Sequence, residues 1–133
     1  MQTFIKVRGF HIDVYQHVNN ARYLEFLETA RWEWLDDSPG FQWMLKKNIA
    51  FILVNININY RKPAVLGDVL QIDSQLEQLN DKSGVLRQII TCAGEPVVDA
   101  LLTFVCIDLA TQKALPLQGE LREKLRELEQ GSD

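Results

Sequence analysis

Asp13-Val14-Tyr15-Gln16-His17-Val18-Asn19-Asn20-Ala21-Arg22-Tyr23 is the stretch from which the rest of the chain is best read, because there a polar loop passes into a helix. From residue 20 to about residue 35 the apolar positions recur at helical spacing. Tyr23, Leu27, Ala30 and Trp34 gather on one side, flanked by Leu24 and Phe26, whereas Arg22, Glu25, Glu28 and Glu33 lie farther from its centre. The pattern predicts a helix with one buried side. Asn19 or Asn20 caps its start by accepting a backbone N–H bond, and either choice leaves first-turn amides available beside the polar loop. Asp36-Asp37-Ser38-Pro39-Gly40 predicts the stop.

On either side of this unit the pattern is mostly that of strands. Residues 3–10 read as a first strand, with Phe4, Ile5, Val7 and Phe10 apolar and Gly9 permitting a bend. Residues 49–62 alternate most clearly. Ile52, Val54, Ile56, Ile58 and Tyr60 are expected to face a core, and Leu53, Asn55, Asn57, Asn59 and Arg61 a second surface. Side-chain amides both donate and accept hydrogen bonds, so the asparagine ladder suits a subunit junction, a wet cavity or an ordinary solvated face. Pro63 ends that strand. Further strands are predicted at 68–79, 85–93 and 96–109, with turns at Asn80–Gly84 and Gly94–Pro96, giving a largely antiparallel sheet in an α+β fold. The apolar run from Ala100 to Ile107 predicts a strand covered on both faces. Too few helices are available for that within one subunit, which points to oligomerisation. A short helix at 41–47, carrying Trp43, Met44 and Leu45, and a C-terminal helix at 120–130, with Leu121, Leu125 and Leu128 and a Glu120–Lys124 pair, complete the pattern.

Composition narrows the function classes. The 133 residues suit one domain spanning 1–133, and 47% hydrophobic content supports a real core. The net charge is -4 and the 14 Lys+Arg residues are dispersed, which argues against a nucleic-acid partner. Cys92 and Cys106 lie in apolar strands without CxxC spacing and read as buried thiols, and no metal site is expected. No leader and no run of about 18 apolar residues is found, so a cytoplasmic protein without stable membrane insertion is expected.

Within the opening stretch, Asp13 has the chemistry of a base that prepares water or of a nucleophile, and equally that of a turn cap. His17, four residues on, is placed to orient a carboxylate, water or carbonyl, or to serve structure alone. Asn19 holds the loop, caps the helix or binds substrate. The backbone N–H of Asn20 is the more specific electrophilic candidate, because a helix start supplies an unpaired donor with favourable dipole direction. No GxSxG elbow and no glycine-rich phosphate loop is present, so the enzymatic reading uses a carboxylate.

The segment from Phe10 to Tyr23 resembles the signature of the 4-hydroxybenzoyl-CoA-thioesterase-like branch of the hotdog superfamily. The likeness extends through Asn59-Tyr60-Arg61-Lys62-Pro63-Ala64-Val65-Leu66-Gly67-Asp68 and Asp99-Ala100-Leu101-Leu102-Thr103-Phe104-Val105, covering about residues 2–118 in element order. Within the branch, the chain is especially similar to bacterial long-chain acyl-CoA thioesterases. The resemblance implies a curled antiparallel sheet around the long helix, and homodimers or homotetramers with active sites at subunit interfaces. It implies that Asp13 activates water or attacks the thioester, that the Asn20 amide polarises its carbonyl, and that His17 and Asn19 arrange the loop. The implied reaction hydrolyses medium-to-long-chain fatty acyl-CoA to fatty acid and coenzyme A, with coenzyme A part of the substrate and no separate cofactor. An acyl-ACP thioesterase and a non-enzymatic acyl-CoA-binding regulator are the alternatives. Arg61 and Lys62 then either meet coenzyme A phosphates or remain a solvated strand end. Tyr23 either contacts substrate or packs, Asp68 either stabilises a turn or organises the active-site wall, and the 41–47 helix either packs or forms a flexible lid or the wall of an acyl tunnel. Many family members carry glycine before the histidine, where this chain has Gln16.

Overall fold

The amphipathic pattern that begins at residue 20 forms α1 (Asn20–Asp36), and its apolar side is the centre of the core. The computed structural model describes residues 1–130. Around α1 run β1 (Gln2–Lys6), β2 (Ile49–Tyr60), β3 (Val69–Leu79), β4 (Gly84–Cys92), β5 (Glu95–Asp108) and β6 (Lys113–Leu115), with α2 (Pro39–Lys46) and α3 (Gly119–Gln130) beside it. Every pairing is antiparallel, in the order β1-β3-β4-β5-β2, and β6 takes the edge of β5 beyond the end of β4. This curled sheet wrapped on a helix is the hotdog arrangement.

Tyr23, Phe26, Leu27, Ala30 and Trp34 of α1 are buried, Leu27 completely. They meet the inward residues of the sheet, among them Leu70, Ile72, Leu86, Ile90, Leu102 and Phe104. Burying a side chain such as Leu27 stabilises the fold by about 1.5–3 kcal/mol. One polar residue lies among them. Gln88 of β4 is fully buried; its Nε2 donates to the Leu27 carbonyl at 3.0 Å and to Ser74 Oγ at 2.9 Å. Its Oε1 accepts from Arg31 Nη1 at 3.1 Å. A buried amide without partners would be costly, so this set both satisfies Gln88 and sets the height of α1 on the sheet.

Two strands depart from the expected alternation. The register of β2 against β5 passes from Leu53↔Phe104 to Asn55↔Thr103, leaving Val54 as an inserted residue. A bulge of this kind reverses which residues face inward. Phe51 and Leu53 therefore share a face with Ile56, Ile58 and Tyr60, Ile52 turns to the outer surface, and Val54 is 57% exposed. The expected single inward set from Ile52 to Tyr60 does not form. In β5, Ala100, Leu102, Phe104 and Cys106 are buried while Leu101 stays 38% exposed, so one subunit covers one face of this strand only. The first strand is also shorter than 3–10: it stops at Lys6, and Gly9–His11 forms a 3-10 turn.

Ser38 and Pro39, expected as a stop, also start α2, with the Ser38 hydroxyl accepting from the Phe41 N–H and proline at the first turn. Met44 packs in the core. In α3, Leu121, Leu125 and Leu128 are buried as expected, and Lys124 pairs with Glu127 rather than Glu120. Cys106 is buried, which pushes its thiol up to about 12, and Cys92 is half-buried; both are free thiols. No helix among the described residues is long and apolar enough to cross a membrane.

The connection from β1 to α1 is a small hairpin. Ile12 and Val18 form a bridge, the Asp13 N–H donates to the His17 carbonyl at 2.9 Å, and the Gln16 N–H donates to the Asp13 carbonyl at 3.0 Å. These bonds describe a type I turn followed by a left-handed residue, and Gln16 holds that place with φ 65°. Glycine occupies such a position without steric cost, which is the physical sense of glycine in many family members. The base of the hairpin is anchored on both sides. The Val18 N–H donates to the Ala64 carbonyl and the Asn19 N–H to the His11 carbonyl, each at 2.9 Å. His11 itself is buried between Phe10 and Phe26, and its Nδ1 accepts from the Arg8 N–H at 2.9 Å. Burial first, and Arg22 second, hold its pKa below the usual value.

Three outcomes follow from this packing. A Cβ on Gly84 would sit 2.3 Å from Cζ of Phe104, whose ring stacks on Phe51, so Gly84→Ala lowers the urea midpoint by an amount equivalent to about 1–3 kcal/mol. Gln16→Gly leaves the midpoint equal or raises it by up to about 1 kcal/mol, because relief of the left-handed conformation outweighs the added chain entropy. A clear loss of stability in Gln16→Gly would contradict the hairpin. The unfolded chain protonates His11 near 6.5, while the folded chain resists the proton. The His11 contribution is therefore full above that value and is lost as pH falls through the depressed folded-state pKa. In urea titrations between pH 5 and 7, His11→Asn shows a shallower loss of stability on acidification than the parent.

Candidate functional site

The hairpin, the first turn of α1 and the C-terminal end of β2 enclose a cavity of about 500 Å³. Asp13, His17, Asn19, Asn20, Tyr23, Arg61 and Lys62 all line it, together with Tyr15, Val18, Tyr60 and Pro63. Residues far apart in sequence meet here because Tyr60 lies at the end of β2 and its hydroxyl donates to the Asn20 carbonyl at 3.3 Å. The Tyr60 ring also lies 5.7 Å from that of Tyr23.

Asp13 is half-buried, and its Oδ1 accepts from the Tyr15 N–H at 2.9 Å. The other carboxylate oxygen has no hydrogen-bond partner among the described residues. His17 is exposed and joins Asp13 through backbone atoms; its imidazole does not hold the carboxylate. Asn19 is the helix cap, with Oδ1 accepting from the Ala21 N–H at 2.9 Å and its carbonyl accepting from the Arg22 N–H at 2.8 Å. Those two bonds occupy the neighbouring first-turn amides and leave the Asn20 N–H without a partner among the described residues. It is a donor at the positive end of a helix dipole.

Tyr23 forms the floor. Its ring is buried and its hydroxyl accepts from the Ala64 N–H at 3.1 Å, with burial the main influence raising its pKa. Packing is thus its visible role. Asp68 accepts from the Val65 N–H at 2.9 Å and shapes the turn before β3, as expected. At the mouth, Arg61 Nε donates to Asp99 Oδ2 at 2.7 Å and Lys62 pairs with Glu95. The hydrogen bond to Asp99 and that carboxylate's charge hold the Arg61 pKa above its usual value, and Glu95 does the same for Lys62. Tyr60, which ties the strand end to the helix start, has a role that sequence reading did not assign; its place beside Arg61 in the second matched segment was the available signal. Among the described residues, no group of three or more His, Cys, Asp or Glu side chains is gathered to hold a metal ion.

Known proteins share both the sequence and the shape. The long-chain acyl-CoA thioesterase FadM of Escherichia coli K12 is 70% identical over 130 residues, spanning 96% of this chain and 98% of that protein. The crystal structure of YbaW, a probable thioesterase from Escherichia coli, superposes with a TM-score of 0.94 at 69% identity, over 96% of this chain and 98% of that one. A Thermus thermophilus thioesterase solved with coenzyme A and zinc superposes with a TM-score of 0.79 at 26% identity, over 97% of this chain and 93% of that one. The pattern of the thioesterase-like superfamily matches residues 7–125, and the protein belongs to that superfamily.

Proposed function

We propose that the protein hydrolyses medium-to-long-chain fatty acyl-CoA thioesters to free fatty acid and coenzyme A. The observation that carries this reading is the meeting, in one cavity, of a carboxylate with an unengaged oxygen and a helix-start amide with no partner among the described residues. The relatives support the substrate class: one is a long-chain acyl-CoA thioesterase, and another was solved with coenzyme A.

In the proposed chemistry the thioester carbonyl accepts the Asn20 N–H, which stabilises the negative charge that develops on its oxygen. By one route Asp13 takes a proton from water as the water oxygen bonds to the carbonyl carbon. The C–S bond then breaks and the proton passes to the coenzyme A sulfur. By the other, an Asp13 oxygen attacks, coenzyme A thiolate leaves, and water opens the resulting anhydride. His17 orients the water or carbonyl from the rim. Asn19 contributes through its cap, which keeps neighbouring amides occupied and the Asn20 amide free. Tyr23 shapes the floor against which the substrate lies.

Arg61 and Lys62 meet the coenzyme A phosphates at the mouth. Their present partners are the half-buried Asp99 and the exposed Glu95, and ion pairs at the surface are weak, so exchange for phosphate costs little. The working unit is a homodimer or homotetramer in the cytoplasm. β2 is an edge strand, its asparagines carry unspent hydrogen-bonding capacity, and the outer face of β5 is open in a single subunit.

A panel of acyl-CoA esters, with released coenzyme A measured by a thiol reagent, tests the function. Wild-type protein releases coenzyme A, whereas Asp13→Asn loses at least about tenfold in kcat/KM, because the charged base or nucleophile is gone. Circular dichroism of the variant stays that of the parent. Near-normal hydrolysis by a correctly folded Asp13→Asn protein defeats the assignment.

A further inference from the structure

A second cavity, of about 350 Å³, lies between the later turns of α1 and the first half of β2. Trp32, Phe41, Leu45 and Phe51 give it apolar walls, and Glu28 and Arg31 are its charged residues. It is related to the first cavity by the course of the two elements. The start of α1 faces the end of β2 around Asn20 and Tyr60, and the later turns of α1 face the beginning of β2. The two cavities are separate but border the same two elements at opposite ends. Between them in sequence lie Leu24, one turn before Glu28, and Ile56, the first inward residue after the bulge, each 38% exposed.

Arg31 is the polar feature of the far end. Its guanidinium is half-buried and donates to Gln88, which is itself held by the Leu27 carbonyl and Ser74. Glu28 acts on it through charge, and no ion pair to Arg31 forms among the described residues. The group is thus fixed in place by a neutral partner. Along a helix rising about 1.5 Å per residue, Arg31 lies about 16 Å beyond Asn20. An extended alkyl chain, with bonds of about 1.5 Å at about 111°, advances about 1.25 Å per carbon, so about 12 to 14 carbons span that distance.

We propose that the acyl tail of the substrate runs between α1 and β2 from the first cavity into the second and that Arg31 is a specificity-determining residue ending this path. This rests on the function proposed above. A chain longer than this path presses apolar carbons onto a half-buried cation and strips its remaining hydration, which is unfavourable. Selectivity for chain length then comes from a polar stop, and the apolar walls alone would not impose it.

The test compares kcat/KM for butanoyl-, dodecanoyl- and octadecanoyl-CoA. In wild-type protein the octadecanoyl ester is the poorer long substrate by at least about fivefold. Arg31→Gln, which keeps a donor for Gln88 but removes the charge, raises the octadecanoyl-to-dodecanoyl ratio at least about fivefold, and Arg31→Met does the same. Arg31→Lys, which keeps the charge, leaves the ratio within about twofold of wild type. An unmoved ratio in correctly folded Arg31→Gln overturns the inference, as does a wild-type enzyme that hydrolyses both long esters equally. In those cases dodecanoyl-CoA hydrolysis still stands and the proposed function with it. Absence of coenzyme A release from all three esters overturns both.

Discussion

The burial of one side of α1 in the concave face of a curled sheet is the constraint on which the rest of the structure depends. Leu27 is completely enclosed and Gln88 reaches the helix backbone from β4, so the helix has little freedom to slide or rotate. Apolar burial supplies the driving force without direction, whereas the Gln88 amide adds direction because its donors and acceptor must all be met. The helix start is thereby delivered to a defined place at one end of the sheet. A donor useful to chemistry has to be both unpaired and immobile, and both conditions trace back to that seat.

The loop that precedes the helix solves the complementary problem of holding a carboxylate without consuming it. A tight hairpin with Gln16 in the left-handed region turns Asp13 toward the cavity, and one backbone N–H engages only one of its oxygens. His11 and Ala64 hold the hairpin base from opposite sides. Asn19 stands at the junction of loop and helix and occupies the neighbouring amides. The same cap that stabilises α1 therefore defines which amide is left over.

Much of this was legible in residue pattern because it is local. The phase of Tyr23, Leu27, Ala30 and Trp34, an asparagine cap at position 19 or 20, the hairpin turns and the polar loop before α1 all depend on neighbours within a few residues. The resemblance to thioesterases added roles for Asp13 and Asn20 that spacing alone left open. The inward phase of β2 was not legible, since alternation assumes an uninterrupted ladder and Val54 is inserted into it. The place of His11 was hidden for a similar reason: its burial between Phe10 and Phe26 depends on how the 3-10 turn lies against α1.

Sequence by itself determined the elements, the buried side of α1 and the candidates for chemistry, because helical period, strand alternation and capping are written over short distances. Tertiary structure alone decided that Asp13, Asn20, Tyr60, Arg61 and Lys62 border one cavity and that Arg31 borders a second one farther along α1. It also decided that Tyr23 packs with its hydroxyl spent on Ala64, and that His17 touches Asp13 only through the backbone. Those outcomes depend on strand register and on the height of a helix above a sheet. Many distant contacts must agree before either is set, and no short stretch of residues carries that agreement.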